Sequence, residues 1–280
     1  MKNVWLIQTS GFNGSHIESS MKSLNKLGIE FKDFGILPEK KISNLNNVLE
    51  DNTQYIVIGG ISMLEILNNS TSLKECSIYL DSDKDKPEYM DELKRSVDYD
   101  VDTFDQNNYK NLQLPLLNIH AEYFLCSDVL DKSFSNDMFI KPSKDLKAFN
   151  GGIIPAGSTV SEYIHSGHWR KGFEEETILI APTINIFSEY RFFIVDGKVV
   201  TGSLYKRGRD VLYSSEIPQY ILDKANEYAN IYQPSDIFVM DLAETENGIK
   251  IIEYNCWNSS GFYNSDLDKL FYTIDEFKKK

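Results

Sequence analysis

The residues of this chain best suited to chemistry lie in two short apolar runs. These are Phe238-Val239-Met240-Asp241-Leu242 and Ile251-Ile252-Glu253-Tyr254-Asn255, separated by an Asn247-Gly248 turn. Runs of this length and type around such a turn read as the two strands of a hairpin, which sets Asp241 near Glu253. Side chains alternate along a strand, so Glu253 and Asn255 share one face. Two carboxylates and an amide oxygen on one face form an all-oxygen, net-negative site. Mg²⁺ takes hard oxygen ligands of this kind, keeps some of its waters and shares its shell with phosphate oxygens. An ordinary hairpin with polar residues toward solvent is the alternative. It fits Asp241 poorly, because a carboxylate inside an apolar strand costs energy unless a cation or donor answers it.

Other segments in a fixed order accompany this set. Phe139-Ile140-Lys141-Pro142 is followed by Lys147 and by Asn150-Gly151-Gly152. A cation beside glycines, whose backbone N–H groups approach oxygens closely, suits a polyphosphate; a surface lysine at a strand end is the plainer reading. Ile178-Leu179-Ile180-Ala181-Pro182 reads equally as a core strand. In Glu189-Tyr190-Arg191-Phe192-Phe193, alternation puts Glu189, Arg191 and Phe193 on one face, and a structural Glu–Arg pair is the competing account. Lys206, Arg207 and Arg209 form a basic cluster that is either a solvated turn or an anion clamp.

An Asp followed about a dozen residues later by Glu-x-Asn resembles the metal-binding signature of the ATP-grasp superfamily, which includes D-alanine–D-alanine ligase; here the interval is 12 residues. The segments from Lys141 to Phe262 also resemble an ATP-grasp clade of phages and bacteria named for two arginines and one lysine. That resemblance covers about residues 137–277. It implies an ATP-grasp fold, two α+β subdomains clasping ATP, preceded by a small Rossmann-like α/β domain.

The resemblance further implies Asp241, Glu253 and Asn255 as Mg²⁺ ligands, with Lys141, Lys147, Gly151 and Gly152 at the phosphates. Ile180 and Ala181 would read the adenine edge, and Met240 would contact the nucleotide. Glu189 would hold the ribose, with Lys206 and Arg207 beside the triphosphate. Arg191 and Lys141 would be the catalytic cations. Where the clade's lid strand carries its other arginine, this chain has Lys141, which keeps the charge without the bidentate fork. The Asn-x-x-Pro-Gly loop of peptide-forming relatives is absent. The chain reads Asn255-Cys256-Trp257-Asn258-Ser259-Ser260-Gly261-Phe262 instead, with Trp257 either walling an acceptor pocket or packing. The implied reaction is ADP-forming. A carboxylate of a small molecule such as an amino acid, of a peptide or of a protein is activated as an acyl-phosphate and joined to an amine. An ATP-grasp kinase and a non-catalytic ATP sensor are the alternatives.

These residues need elements to hold them. Residues 4–8 and 55–58 read as buried strands, each followed by a glycine-containing loop and a helix (18–27, ending at Gly28, and 62–67). Repetition of that unit suggests a parallel sheet. Residues 81–105 hold ten acids against four bases and read as a solvated excursion or linker, with a short helix from Pro87 to Arg95. Strands are expected at 138–141, 177–180, 189–195, 198–205, 237–242 and 249–255. Asp196-Gly197 closes a hairpin, and helices are expected at 218–231 and 266–277. The expected division is 1–115 with the acidic linker, 116–182 as lid, and 183–280 as metal-binding core. His165 and His168 are lid residues near substrate or surface histidines.

The chain has 280 residues and a formal net charge of −13. A field of that sign repels nucleic-acid phosphates and anionic lipid surfaces, arguing against general nucleic-acid or membrane binding. Cys76, Cys126 and Cys256 are odd in number and far apart, so a disulfide framework is not expected. The first eight residues carry a four-residue apolar run, too short for a signal-peptide core, and no stretch reaches the length of a membrane span. The expectation is a cytoplasmic protein.

Overall fold

The computed structural model describes residues 2–10, 14–80, 82–97, 103–144 and 148–280. The first sheet has the order β3-β2-β1-β4. It is built from β1 (Lys2–Gln8), β2 (Phe31–Ile36), β3 (Ile42–Ser43) and β4 (Thr53–Ile58). β1 lies parallel to both β2 and β4, whereas β3 is antiparallel to β2. Around it are α1 (Gly14–Leu27), α2 (Leu45–Val48), α3 (Ile61–Asn69), α4 (Leu73–Cys76) and α5 (Pro87–Ser96). α1 stops at Gly28, whose φ is +67°. Gly28 N–H donates to Asn25 O, and Ile29 N–H donates to Leu24 O, a Schellman pair that a glycine allows without strain.

The acidic stretch before residue 105 differs from its expected solvated state. Tyr89, Met90 and Leu93 of α5, with Val97 just beyond it, are buried in the same core as Tyr55 and Val57 of β4. Those apolar residues fall at helical spacing, so one face of α5 seals the sheet while its acids face outward.

A small antiparallel sheet follows, after the short helix α6 (Gln106–Tyr109). Its strands are β5 (Glu122–Leu125), β6 (Met138–Pro142), β7 (Gly152–Ile154) and β8 (Thr177–Pro182), in the order β5-β8-β6-β7. One face, with Ile140, Ile154, Ile178 and Ile180, packs with Val160 and Ile164 of α7 (Val160–Ser166). The Thr159–Glu162 capping box starts that helix.

The large sheet is antiparallel, in the order β11-β10-β9-β12-β13. Its strands are β9 (Ile186–Val195), β10 (Lys198–Arg207), β11 (Asp210–Ser214), β12 (Ile237–Thr245) and β13 (Gly248–Asn255), with α8 (Gln219–Ile231) and α9 (Leu267–Lys278) against it. Asp196 and Gly197 both have positive φ, +52° and +70°, as a two-residue turn matching strand twist requires. One face of the sheet presents Phe192, Ile194, Phe238 and Met240 to Ile221 and Ala225 of α8. On the other face Phe193, Val195, Ile237 and Val239 join Trp5, Ile7, Trp257 and the apolar side of α9 in one cluster. The first sheet is therefore bonded to the large one by shared core. Among the described residues, no helix is long and apolar enough to cross a membrane, and the three cysteines are buried and not joined in disulfides.

Asn258 fastens these two parts. It is fully buried, its amide donates to Val57 O (2.7 Å) and Ser96 O (3.4 Å), and its carbonyl accepts from Gly59 N–H (3.0 Å). Asn258→Ala strips the side-chain donors and leaves buried carbonyls unanswered. We expect a loss of about 1–3 kcal/mol, measured by urea unfolding, and an unchanged midpoint would show that the fastening is not structural.

Candidate active site

In the large sheet, β9, β12 and β13 are neighbours. Their registers pair Asp241 with Arg191 on one side and with Glu253 on the other. Residues directly opposite across strands share a face, so the three side chains stand on one rung. The β12–β13 register shifts by one residue between Asp241 and Leu242. This bulge keeps Asp241 and Glu253 on the open side while Leu242 and Ile251 stay in the core beyond it.

Arg191 grips Asp241 with two bonds, Nε to Oδ1 at 2.8 Å and Nη2 to Oδ2 at 2.7 Å. The Asn255 amide lies 3.1 Å from Glu253 Oε1 and 3.5 Å from Asp241 Oδ2, bridging the carboxylates. Lys141 reaches from β6 of the small sheet and forms an ion pair with Glu253. The result is a row of charge, Arg191⁺, Asp241⁻, Glu253⁻, Lys141⁺, with an amide at its middle.

Burial makes the pairing obligatory: Asp241 is 2% exposed. It pushes the Asp241 carboxyl up from its usual range, and the guanidinium opposes that rise. It also disfavours the Arg191 charge, but Asp241 outweighs this and holds the guanidinium protonated. For Glu253, burial is overcome by the Lys141 ammonium and the Asn255 amide, which hold the carboxyl down at about 2.

Glu189, two residues before Arg191, accepts from Tyr205 Oη at 2.8 Å and from Lys206 Nζ at 2.7 Å. Arg207 is exposed at the end of β10, in register with Ser188, and stands off the charged rung. Two tyrosines that the sequence reading passed over complete this side. Tyr263 stacks on Tyr205 with centroids 5.0 Å apart. The Arg191 guanidinium lies 5.0 Å from the Tyr263 ring, and Gly261 O accepts from Arg191 Nη1 at 3.4 Å. The only sequence signal for them is position: Tyr205 beside Lys206, and Tyr263 after the Ser-Ser-Gly-Phe loop.

On the small sheet, Gly151 must be glycine because a Cβ there would fall 2.8 Å from Lys141 Cβ. The Gly152 backbone lies under Tyr163, whose hydroxyl a Cβ would meet at 2.3 Å and which donates to Asn150 O. Lys147 lies outside the described residues. Ile180 and Ala181 are buried on β8, where the ladder to β5 ends at Glu122↔Ile180 but the ladder to β6 runs on through Pro182. Among the described residues, one backbone edge at Ala181 thus has no strand partner.

Met240 does not join this group. It neighbours Asp241 in sequence, so its side chain lies on the opposite face, fully buried in the core with Phe192 and Tyr254; alternation gives it a packing role in place of the expected nucleotide contact. Trp257 is fully buried edge-on to Trp5, which favours packing over a pocket wall. His165 forms an aromatic cluster with Trp169 and Phe173.

Among the described residues no group of three or more His, Cys, Asp or Glu could hold a metal ion. The convergent groups are instead two carboxylates and an amide whose nitrogen donates to both; with that amide turned to present its oxygen, the set would offer the hard oxygen ligands that Mg²⁺ takes, with positions left for water and phosphate.

The whole chain shares its fold with ATP-grasp enzymes. It resembles D-alanine–D-alanine ligase from Bacillus anthracis complexed with ATP, with a TM-score of 0.57 at 13% identity, covering 100% of this chain and 98% of that one. The D-cycloserine synthetase DcsG matches with a TM-score of 0.55 at 8% identity, over 99% of both chains. The ATP-grasp ligase PsnB, complexed with a phosphomimetic variant of its minimal precursor, Mg and ADP, gives 0.52 at 10% identity, over 100% of this chain and 98% of that one. Residues 84–274 match the ATP-grasp domain, R2K clade family 3, and the chain belongs to that family. No curated protein matches it. The likeness of fold extends beyond residues 137–277 to the first sheet.

The Arg191–Asp241 pair yields a sharp test. Arg191→Met leaves a buried carboxylate without its cation, and we expect a loss of about 3–5 kcal/mol in urea unfolding. Adding Asp241→Leu removes the orphaned charge and should restore much of that loss. Additive losses in the double variant would show that the pair is not coupled.

Proposed function

We propose that the chain is an ATP- and Mg²⁺-dependent, ADP-forming ligase that activates a carboxylate as an acyl-phosphate and joins it to an amine of a small molecule or peptide. The observation that carries this reading is the Arg191–Asp241–Glu253–Lys141 row, with Asn255 between its carboxylates, spanning the large and small sheets. D-alanine–D-alanine ligase and PsnB, whose fold it shares, are named as ligases. Family membership supplies the ATP-grasp frame.

Asp241, Glu253 and Asn255 would hold Mg²⁺, which when bound neutralises phosphate charge and draws the triphosphate into a fixed pose. Each carboxylate is engaged by a protein cation without it. With the carboxylates engaged by metal instead, Lys141 and Arg191 would be available to donate to phosphate oxygens, and their ion pairs keep the site charged and ordered. A substrate carboxylate oxygen then bonds to the γ-phosphorus as the bond to the β-phosphate oxygen breaks and ADP leaves. Charge building on the transferred group is met by Arg191, whose fork is fixed by Tyr263 and the Gly261 carbonyl. The amine attacks the acyl carbon, phosphate departs with the bridging oxygen, and the amine proton passes to solvent.

The small sheet is the lid in this reading. Lys141 reaches from it to Glu253 of the core, and Gly151 lets the β6–β7 backbone come close to that lysine. Residues 1–115, 116–182 and 183–280 form the preceding domain, lid and metal-binding core.

Incubation of the purified chain with ATP, Mg²⁺ and paired carboxylate and amine libraries should yield ADP, phosphate and an amide. A stable phosphorylated product would overturn the ligase reading. Asp241→Asn and Glu253→Gln should each reduce ATP turnover by at least about a hundredfold while circular dichroism stays unchanged. Full turnover in either would remove the metal assignment.

A further inference from the structure

Arg170 lies beyond α7, in the part of the chain that carries the small sheet. Its backbone N–H donates to Ala148 O at 2.7 Å, Asn150 N–H donates to His168 O at 3.3 Å, and Phe149 and Trp169 form an antiparallel bridge between them. Residues 148–150 and 168–170 thus form a short ladder that ends at Gly151 and Gly152, where β7 begins. Ala148 and Phe149 are buried in the core of the small sheet and anchor the ladder there. Any displacement of the Arg170 backbone would strain the chain beside Gly151.

The Arg170 side chain leaves this ladder for the first sheet. Its Nη2 donates to Glu65 Oε1 at 2.5 Å, across 105 residues of sequence. Glu65 sits in the middle of α3, whose Met63, Leu64, Ile66 and Leu67 are buried in the core beneath the first sheet. The Glu65 side chain is 18% exposed against 39% for Arg170, and Lys40, from the β2–β3 connection, stands 3.6 Å from its other oxygen. A carboxylate so covered and flanked by two cations is screened less than an open surface pair. None of the residues assigned to metal or nucleotide takes part in this contact.

We infer, on the reading of Gly151 and Gly152 as phosphate-binding, that Arg170 is a positioning residue for that glycine loop. Its ion pair with Glu65 fixes residues 150–152 relative to the first sheet, so affinity for nucleotide depends on a contact made outside the nucleotide site. Lys141 also holds the small sheet, through Glu253, but on the proposed activity that pair is exchanged for metal and phosphate. The Arg170–Glu65 pair has no such competitor and keeps the loop in place while Lys141 changes partner. Where a loop is in place in only a fraction of molecules, apparent affinity falls by that fraction.

The test is calorimetric titration of the full chain with a non-hydrolysable ATP analogue and Mg²⁺. Arg170→Met and Glu65→Gln should each weaken binding by about threefold, and the double variant should bind no worse than either single one. Arg170→Glu, which sets two carboxylates against each other, should weaken it by about tenfold, whereas Arg170→Lys should retain it. In Arg170→Met the urea unfolding midpoint should stay unchanged while hydrogen exchange at the Asn150 amide quickens. Unchanged affinity in Arg170→Glu overturns the assignment, as do additive losses in the double variant or an equal loss in Arg170→Lys and Arg170→Met. Failure of the unaltered chain to bind the analogue removes the nucleotide site and this role with it, whereas binding at unchanged affinity in the variants removes this role alone. Should Arg170→Glu fail to fold, Glu65→Gln decides from the other partner.

Discussion

Two carboxylates held side by side, one buried and one half-buried, repel each other, and everything around Asp241 and Glu253 answers that repulsion. At about 4 Å and an effective dielectric near 20, two like charges cost on the order of 4 kcal/mol. The fold places a cation on the outer side of each, Arg191 from β9 and Lys141 from the small sheet, and an amide between them. The three strands that carry this row need no special backbone beyond one bulge, because alternation and register align the side chains. The opposite face is free to be wholly apolar against α8. Met240 shows the partition at single-residue resolution: one step from Asp241, it belongs to the core.

The two cations differ in how they are held. Arg191 is held by both Asp241 oxygens, by the Gly261 carbonyl and by the Tyr263 ring. Lys141 has one partner across the cleft and a flexible stem, and its strand belongs to another sheet. On the proposed activity, a lysine here would give up the planar fork of an arginine for a point charge that can follow a phosphate through small displacements. The contact that joins the two sheets is therefore also the one most readily exchanged.

Much of the site was legible because its signals are local. Asp241, Glu253 and Asn255 could be set together from strand alternation and the turn between them, and Asp196-Gly197 announced its hairpin. Other parts depend on which strands become neighbours. The sequence suggests that β9 pairs with β10 through their turn, but nothing in it says that β12 takes the other edge of β9 and brings Asp241 to Arg191. The Lys141–Glu253 contact spans 112 residues, and Tyr263 meets Tyr205 only through the return of the chain after β13. β2 was missed because Phe31-Lys32-Asp33-Phe34-Gly35-Ile36 mixes charges and a glycine into a strand. α5 reads as solvated because the ten acids of residues 81–105 mask Tyr89, Met90 and Leu93, which with Val97 bury one side of it.

The charge balance of the site bears on how nucleotide enters. Asp241, Glu253 and Glu189 face Arg191, Lys141 and Lys206, three negative charges against three positive, each engaged with a partner. A site neutral in itself, inside a chain of charge −13, offers little attraction to free ATP. On the proposed activity, the carboxylates favour arrival of cation and nucleotide together, since metal and phosphate each take over one half of an existing ion pair. Bare nucleotide would have to pull the cations away and leave Asp241 and Glu253 buried and unanswered. Bare metal would leave the lysine and arginine without acceptors. On that activity, the pairing that stabilises these charges would also make cation and nucleotide depend on each other.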